Sequence, residues 1–84
     1  MTTHHIVTVY SQPYCPPCRN TKRALDRYGI PYAEKPVADR VDEFKDRGFL
    51  SSPVVVVTDE SGAELRAWSG FRFDELRALA KEVG

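Results

Sequence analysis

Cysteine is scarce in this chain, with two in 84 residues, both inside the tetrapeptide Cys15-Pro16-Pro17-Cys18. A bridge closing so short a loop removes little chain entropy, so these thiols serve chemistry rather than stapling. An excess of one charge sign is also missing. Twelve basic and twelve acidic side chains cancel, whereas a duplex-binding module of this size carries a clear basic surplus, so nucleic acid is not expected as a partner. No apolar run approaches the ~20 residues of a membrane span, and no membrane partner is expected. The opening Met-Thr-Thr-His-His lacks the charged-then-apolar layout of a secretory signal. Five glycines and six prolines are an average content, pointing neither to disorder nor to a fibrous repeat. What remains is a single domain over residues 1–84 with one modest core, near the lower limit for folding without staples. It is expected to be soluble, cytoplasmic and monomeric, with no bound cofactor.

The residues that are present alternate between two periods. His5 to Tyr10 is β-branched and apolar and reads as a strand buried on both faces. Ser11 to Tyr14 reads as a loop. A helix is predicted from Pro16 to Tyr28, because prolines are tolerated in a first turn whose N–H groups lack partners anyway. Thr21, Ala24, Leu25 and Tyr28 fall on its apolar stripe, and Gly29 with Pro31 just beyond marks its end. Tyr32 to Val37 reads as a weaker strand that Pro36 assigns to a sheet edge. A short helix capped by Asp39 and ending at Gly48 follows, anchored by Val41, Phe44 and Phe49. Val54 to Thr58 is the clearest strand. Asp59 to Gly62 has turn chemistry, and Ala63 to Trp68 alternates as the partner strand of a hairpin. The last helix is predicted over Arg72 to Val83, with Leu76, Leu79, Ala80 and Val83 on its buried stripe. The order β-α-β-α-β-β-α supplies a parallel pair through a right-handed crossover and then an antiparallel hairpin. An α/β domain with a four-stranded mixed sheet flanked by three helices is the outline of a minimal thioredoxin fold.

A C-x-x-C at the start of a helix, directly after a first buried strand, is specific in context as well as in spacing. At about 100° per residue, Cys18 lies roughly 20° from Leu25 around the axis, near the buried stripe, while Cys15 faces solvent at the N-terminal end. Cys15 is therefore expected to attack and Cys18 to resolve. The helix dipole and the free N–H groups of the first turn favour a Cys15 thiolate. Pro16 and Pro17 donate no N–H, which leaves the Cys18 amide and thiol as the local donors and predicts a milder pKa depression than a site with an ordinary third residue. A less stabilised thiolate makes the dithiol a better reductant. Arg19, Lys22 and Arg23 add positive charge nearby, or simply form a solvated helix face. One C-x-x-C is also half of a four-ligand zinc or iron–sulfur site. His4 and His5 would have to complete it, yet adjacent strand residues point to opposite faces. No metal site is assigned.

Other residues surround this pair. Ser51-Ser52-Pro53 precedes the valine strand, and a proline opening a central strand is either a plain strand start or a cis bond. In the second case Pro53 lies beside Cys15 and the Ser52 backbone meets an extended substrate. Trp68-Ser69-Gly70-Phe71 places two aromatics around a turn, which either plug the sheet end or form a docking patch. Tyr14 borders the site, whereas Tyr10 and Tyr32 read as structural. The first strand contains no acid, so no general base for Cys18 is named.

Ile6 to Cys18, Ser52-Pro53-Val54-Val55 and the Trp68-Ser69-Gly70-Phe71-Arg72 turn together resemble the NrdH-redoxins, glutaredoxin-shaped proteins with thioredoxin-like activity. The similarity covers nearly the whole chain, Gly48-Phe49 included. It implies reduction by thioredoxin reductase with NADPH, and electron delivery to ribonucleotide reductase. On this resemblance Cys15 and Cys18 match the redox pair, Pro53 the cis-proline, and Trp68 to Phe71 the turn forming part of the reductase-facing surface. Glutathione-using relatives usually carry Lys at Gln12, Thr-Val-Pro at Ser51-Ser52-Pro53 and Gly-Gly at Ser69-Gly70. Losing the Lys removes a charge partner for a glutathione carboxylate, and losing the first Gly crowds the backbone approach. Two positions depart from the NrdH pattern: Pro16-Pro17 replace an apolar residue and Gln, and Phe73 replaces Pro. Tyr14-Cys15-Pro16 is itself glutaredoxin-like, so a glutathione-dependent glutaredoxin is the alternative.

Overall fold

A computed structural model describes residues 5–83. Its strands are β1 (Ile6–Ser11), β2 (Ala33–Pro36), β3 (Val54–Thr58) and β4 (Glu64–Ser69). Its helices are α1 (Pro16–Arg27), α2 (Val41–Asp46) and α3 (Phe73–Val83), with one 3₁₀ turn at Val37–Arg40 leading into α2. The sheet order is β2-β1-β3-β4. β1 and β2 run parallel, whereas β1–β3 and β3–β4 are antiparallel. The expected mixed sheet and the edge position of the proline-containing β2 are both present.

Period-two alternation divides the core between the two faces of the sheet. Val7, Val9, Val55, Val57 and Trp68 pack with Leu25 of α1 and with Leu76 and Leu79 of α3. Tyr10, Val54 and Val56 pack on the opposite face with Phe44 of α2. The run of four valines thus feeds two cores at once, which is why β3 reads as a continuous apolar segment. Phe44 joins α2 to the sheet. Its ring meets that of Tyr10 edge-on at 5.1 Å and lies 6.2 Å from that of Phe49.

Both predicted glycine stops work by the same backbone device. Gly29, at φ +70°, donates its N–H to Asp26 O, while Ile30 N–H returns to Leu25 O at 2.9 Å. Gly48, at φ +80°, donates to Lys45 O, and Phe49 N–H bonds Phe44 O at 2.8 Å. Each pair of bonds satisfies carbonyls at a helix end and folds an apolar residue back onto the last turn.

Several local expectations are corrected. Ser11 belongs to β1, because it pairs with Pro36 of β2, and the strand starts at Ile6, which is exposed. Asp39 is not a cap: it lies within the 3₁₀ turn, and neither that turn nor α2 has a side-chain cap. Tyr28, Val41 and Val83 are exposed. Tyr28 is the C-cap of α1, Val41 the first residue of α2 and Val83 the last of α3. β4 carries a bulge that leaves Leu65 between Glu64, opposite Thr58, and Arg66, opposite Val57, shifting the outward alternation there. α3 begins at Phe73, with Leu76 N–H bonded to Arg72 O at 3.0 Å, so the missing proline does not displace the helix start.

Truncating the α2 anchor is expected to be costly. Phe44→Ala removes a fully buried ring and should destabilise the domain by about 3–5 kcal/mol. Urea unfolding followed by circular dichroism measures it, and a loss under about 2 kcal/mol would mean that α2 is held by something else.

Candidate redox site

Strand register gathers the chemically interesting residues at one end of the sheet. Tyr10 pairs with Val54, Ser11 with Pro36, and Val54 with Ser69. The C-terminal ends of β1, β2 and β4 therefore lie beside the N-terminal end of β3. From those ends spring the Gln12–Cys15 loop, the Ser52-Pro53 approach to β3 and the Gly70-Phe71 turn.

Tyr14 turns the chain from β1 into α1. Its backbone is left-handed, at φ +56°, and its side chain is 100% exposed. A non-glycine residue in that region costs about 1 kcal/mol or more, and the surrounding structure must hold it there. Cys15 then caps α1 with extended backbone, and Pro16 and Pro17 fill the first two helical positions. Cys15 is half-buried, whereas Cys18 is only 2% exposed. The two are joined as a disulfide with Cα atoms 5.2 Å apart. The Cys18 N–H donates to Cys15 Sγ at 3.2 Å, as expected from a first turn in which both intervening residues are prolines. The predicted inside–outside difference between the two sulfurs is present.

The Ser52–Pro53 bond is cis, and the Pro53 side chain is fully buried. Pro53 O accepts the Gly70 N–H at 2.8 Å, tying the approach to β3 to the turn after β4. Gly70 has φ +79°, and a Cβ there would meet Ser51 Cβ at 3.5 Å. The two aromatics of that turn divide their labour. Trp68 is buried in the core beneath α1 and α3, so it positions the turn and offers a partner no surface. Phe71 is 42% exposed, and Ser69 and Gly70 are half-buried. Tyr10 and Tyr32 are structural, as expected: the Tyr10 hydroxyl accepts from Arg40 Nη1 at 3.0 Å, and Tyr32 packs on the α1/α3 core.

Two depressions flank this end of the sheet, with Gln12 at the border of both. The smaller, about 140 Å³, runs past Phe49, Leu50 and Ser52. The larger, about 680 Å³, lies between the start of α1 and β2 and opens beside Cys15. Its polar residues include Arg19, Lys22, Glu34 and Lys35. Glu34 bridges the elements: its Oε2 accepts from Lys22 Nζ and from Ser11 Oγ, both at 2.7 Å. The Lys22 hydrogen bond first, and the Ser11 bond second, hold the Glu34 carboxyl below the usual carboxylate range. Sequence reasoning missed Glu34 and Lys35. The available signal was Pro36, since an edge strand parallel to β1 must run alongside the crossover helix that carries Lys22. His4 lies outside the described residues, and His5 Nε2 stands 3.7 Å from Glu82 Oε1.

The Glu34 contacts have a pH consequence. A carboxyl lowered in the folded state contributes stability above its unfolded pKa and loses it as pH falls through the folded one. Glu34→Gln mimics the protonated side chain. The native chain is therefore expected to be more stable than this variant at neutral pH, and the gap should close in acid, below the unperturbed glutamate pKa of 4.5. Urea midpoints of both proteins at several pH values measure it, and a pH-independent gap would contradict the assignment.

With this geometry in view, the comparisons with known proteins are specific. Residues 7–62 match the glutaredoxin family. The glutaredoxin-like protein NrdH of Escherichia coli is 36% identical over 77 residues, covering 87% of this chain and 86% of that one. The solved NrdH-redoxin structure from the same organism superposes with a TM-score of 0.74 at 30% identity, over 87% of this chain and 92% of that one. A thioredoxin from Fasciola hepatica superposes with a TM-score of 0.69 over 96% of this chain and 82% of that one; at 20% identity it shows the shared fold alone. Sequence, fold and the Cys15–Cys18 pair agree that the chain belongs to the glutaredoxin family, as a redox protein of the NrdH-like kind.

Proposed function

We propose that this protein is a dithiol electron carrier, reduced by thioredoxin reductase at the expense of NADPH, that delivers electrons to ribonucleotide reductase in the cytoplasm. The observation that carries the reading is the asymmetry of the pair: Cys15 is half-buried at a helix N-terminus and Cys18 is buried one turn in. The partners are those that the NrdH-redoxin resemblance implies, and similarity to NrdH proteins over most of the chain supports that reading. The Escherichia coli relative is described as having a thioredoxin-like activity profile.

In the reduced protein the Cys15 thiolate attacks one sulfur of a substrate disulfide. A mixed disulfide forms, and the other substrate sulfur leaves as a thiolate that takes up a proton. Cys18 loses its proton and attacks Cys15 Sγ. The Cys15–Cys18 bond forms, the mixed disulfide breaks, and the substrate's second sulfur departs as a thiol. Two electrons pass to the substrate, and the reductase returns them from NADPH. The N-terminal end of α1 and the Cys18 amide, 3.2 Å from Cys15 Sγ, stabilise the attacking thiolate. Extended substrate runs past Tyr14, the Ser52 backbone and Pro53. The Ser69-Gly70-Phe71 surface, held to Pro53 through the Gly70 N–H, faces the reductase. Gln12 supplies no charge for a glutathione carboxylate and Ser69 narrows the approach, which favours the reductase over glutathione as the electron source.

Following NADPH consumption with insulin as the disulfide sink tests this. Turnover with thioredoxin reductase alone supports the reading, whereas turnover only with glutathione and glutathione reductase would make the protein a glutathione-dependent glutaredoxin. Reduction of ribonucleotide reductase is then measured directly as deoxyribonucleotide formation. Cys15→Ser is expected to abolish disulfide reduction, and Cys18→Ser to accumulate a mixed disulfide visible by mass spectrometry; full activity of the Cys18 variant on a protein disulfide would overturn the mechanism. Gln12→Lys with Ser69→Gly is expected to raise turnover with glutathione, read against the unsubstituted chain.

A further inference from the structure

The groove between α1 and β2 opens directly beside Cys15, and its charged side chains have no part in the chemistry described above. Its charge is distinctive for a chain whose acidic and basic residues balance. Arg19, Lys22 and Lys35 line it against one carboxylate, Glu34. Lys22 and Glu34 satisfy each other at 2.7 Å, spanning from helix to strand. Arg19 of α1 and Lys35 of β2 are exposed, and among the described residues neither side chain has a hydrogen-bond or ion-pair partner. Two unneutralised cations thus border one groove next to the reactive disulfide.

From this we infer that the groove is a specificity site for acidic residues flanking the disulfide of a protein substrate, an inference that rests on the disulfide-reductase reading. A substrate sulfur must reach Cys15, so the chain on one side of the substrate cysteine is led across the groove. Pro13, Tyr14 and Pro36 give its walls apolar surface suited to an extended backbone. The free cations come from two different elements, which suits carboxylates spaced along a peptide better than one compact anion, for which convergent donors would be needed. Opposite charge steers the encounter and sets register, and partners with basic flanks are repelled.

Three disulfide-bonded peptides of equal length test this, with Glu, Gln or Lys flanking the cysteines. The Glu peptide is expected to exceed the Gln peptide in kcat/KM by about fivefold at low ionic strength, with the Lys peptide slowest. The preference should collapse in about 0.5 M salt. In the Arg19→Gln/Lys35→Gln double variant the Glu-to-Gln ratio should fall to near one. A ratio near one in the unsubstituted chain, or a ratio unchanged by the double variant, overturns the inference. Equal slowing of all three peptides in the variant does so too, because the cations would then act on Cys15 rather than on substrate. Direct binding of the same peptides to a Cys15→Ser/Cys18→Ser chain reads the groove without turnover. Failure to reduce any peptide would count against the redox reading, whereas loss of the charge preference in binding would count against the groove.

Discussion

Everything at the redox end depends on the pairing of one strand. β1 bonds in parallel to β2 and antiparallel to β3, and β3 in turn pairs antiparallel with β4. With Tyr10 opposite Val54 and Val54 opposite Ser69, segments far apart in the sequence meet at one end of the sheet. A slip of one residue in either pairing would exchange the two faces of β3. Val55 and Val57 would then leave the α1/α3 core for the α2 side. The two cores therefore specify the register, and the register brings Pro53 and the Gly70 turn to the end of the sheet where Cys15 stands.

At that end the start of α1 makes two chemically equal cysteines unequal. The helix carries Cys18 inward, while its N-terminus leaves Cys15 as the cap. Proline at both intervening positions keeps the first turn helical and removes two backbone donors that could otherwise stabilise the Cys15 thiolate. On one side of the pair, cis-Pro53 and the Gly70 turn are locked together by a 2.8 Å backbone bond. On the other, a Lys22–Glu34 bridge leaves Arg19 and Lys35 unneutralised at the rim of a groove. Two surfaces of different character, one shaped by backbone and one by charge, therefore lie at the disulfide end of the sheet.

Much of this was legible beforehand because it is written locally. Apolar patterning located α1, α3, β1, β3 and β4, while Gly48 and Pro36 were the signals for α2 and β2. Gly29 and Gly48 marked helix ends through left-handed backbone that only a few residues adopt readily. Pro36 placed β2 at the edge. The inequivalence of Cys15 and Cys18 followed from helical geometry alone. The misses fall where chain-local signals are shared between competing outcomes. Asp39 has the chemistry of a cap, yet a 3₁₀ turn precedes α2 and leaves it unused. Tyr28 and Val83 continue an apolar stripe to a helix end, where the side chains are exposed. Trp68 and Phe71 are both aromatic and three residues apart, and only packing shows one to be core and the other surface.

The sequence by itself determined the elements, the inward and outward cysteines, and the family resemblance carried by the Cys-Pro-Pro-Cys, Ser-Pro and Trp-Ser-Gly-Phe-Arg segments. These are properties of stretches of about a dozen residues, within which dihedral preference, periodicity and capping act directly. Tertiary structure alone decided that Glu34 would reach both Lys22 and Ser11, and that the Gly70 N–H would bind Pro53 O. It also decided that Arg19 and Lys35 would share a groove with the disulfide. Those contacts join residues brought together only by strand register and helix docking, and polar side chains carry no periodic signal of where they will meet.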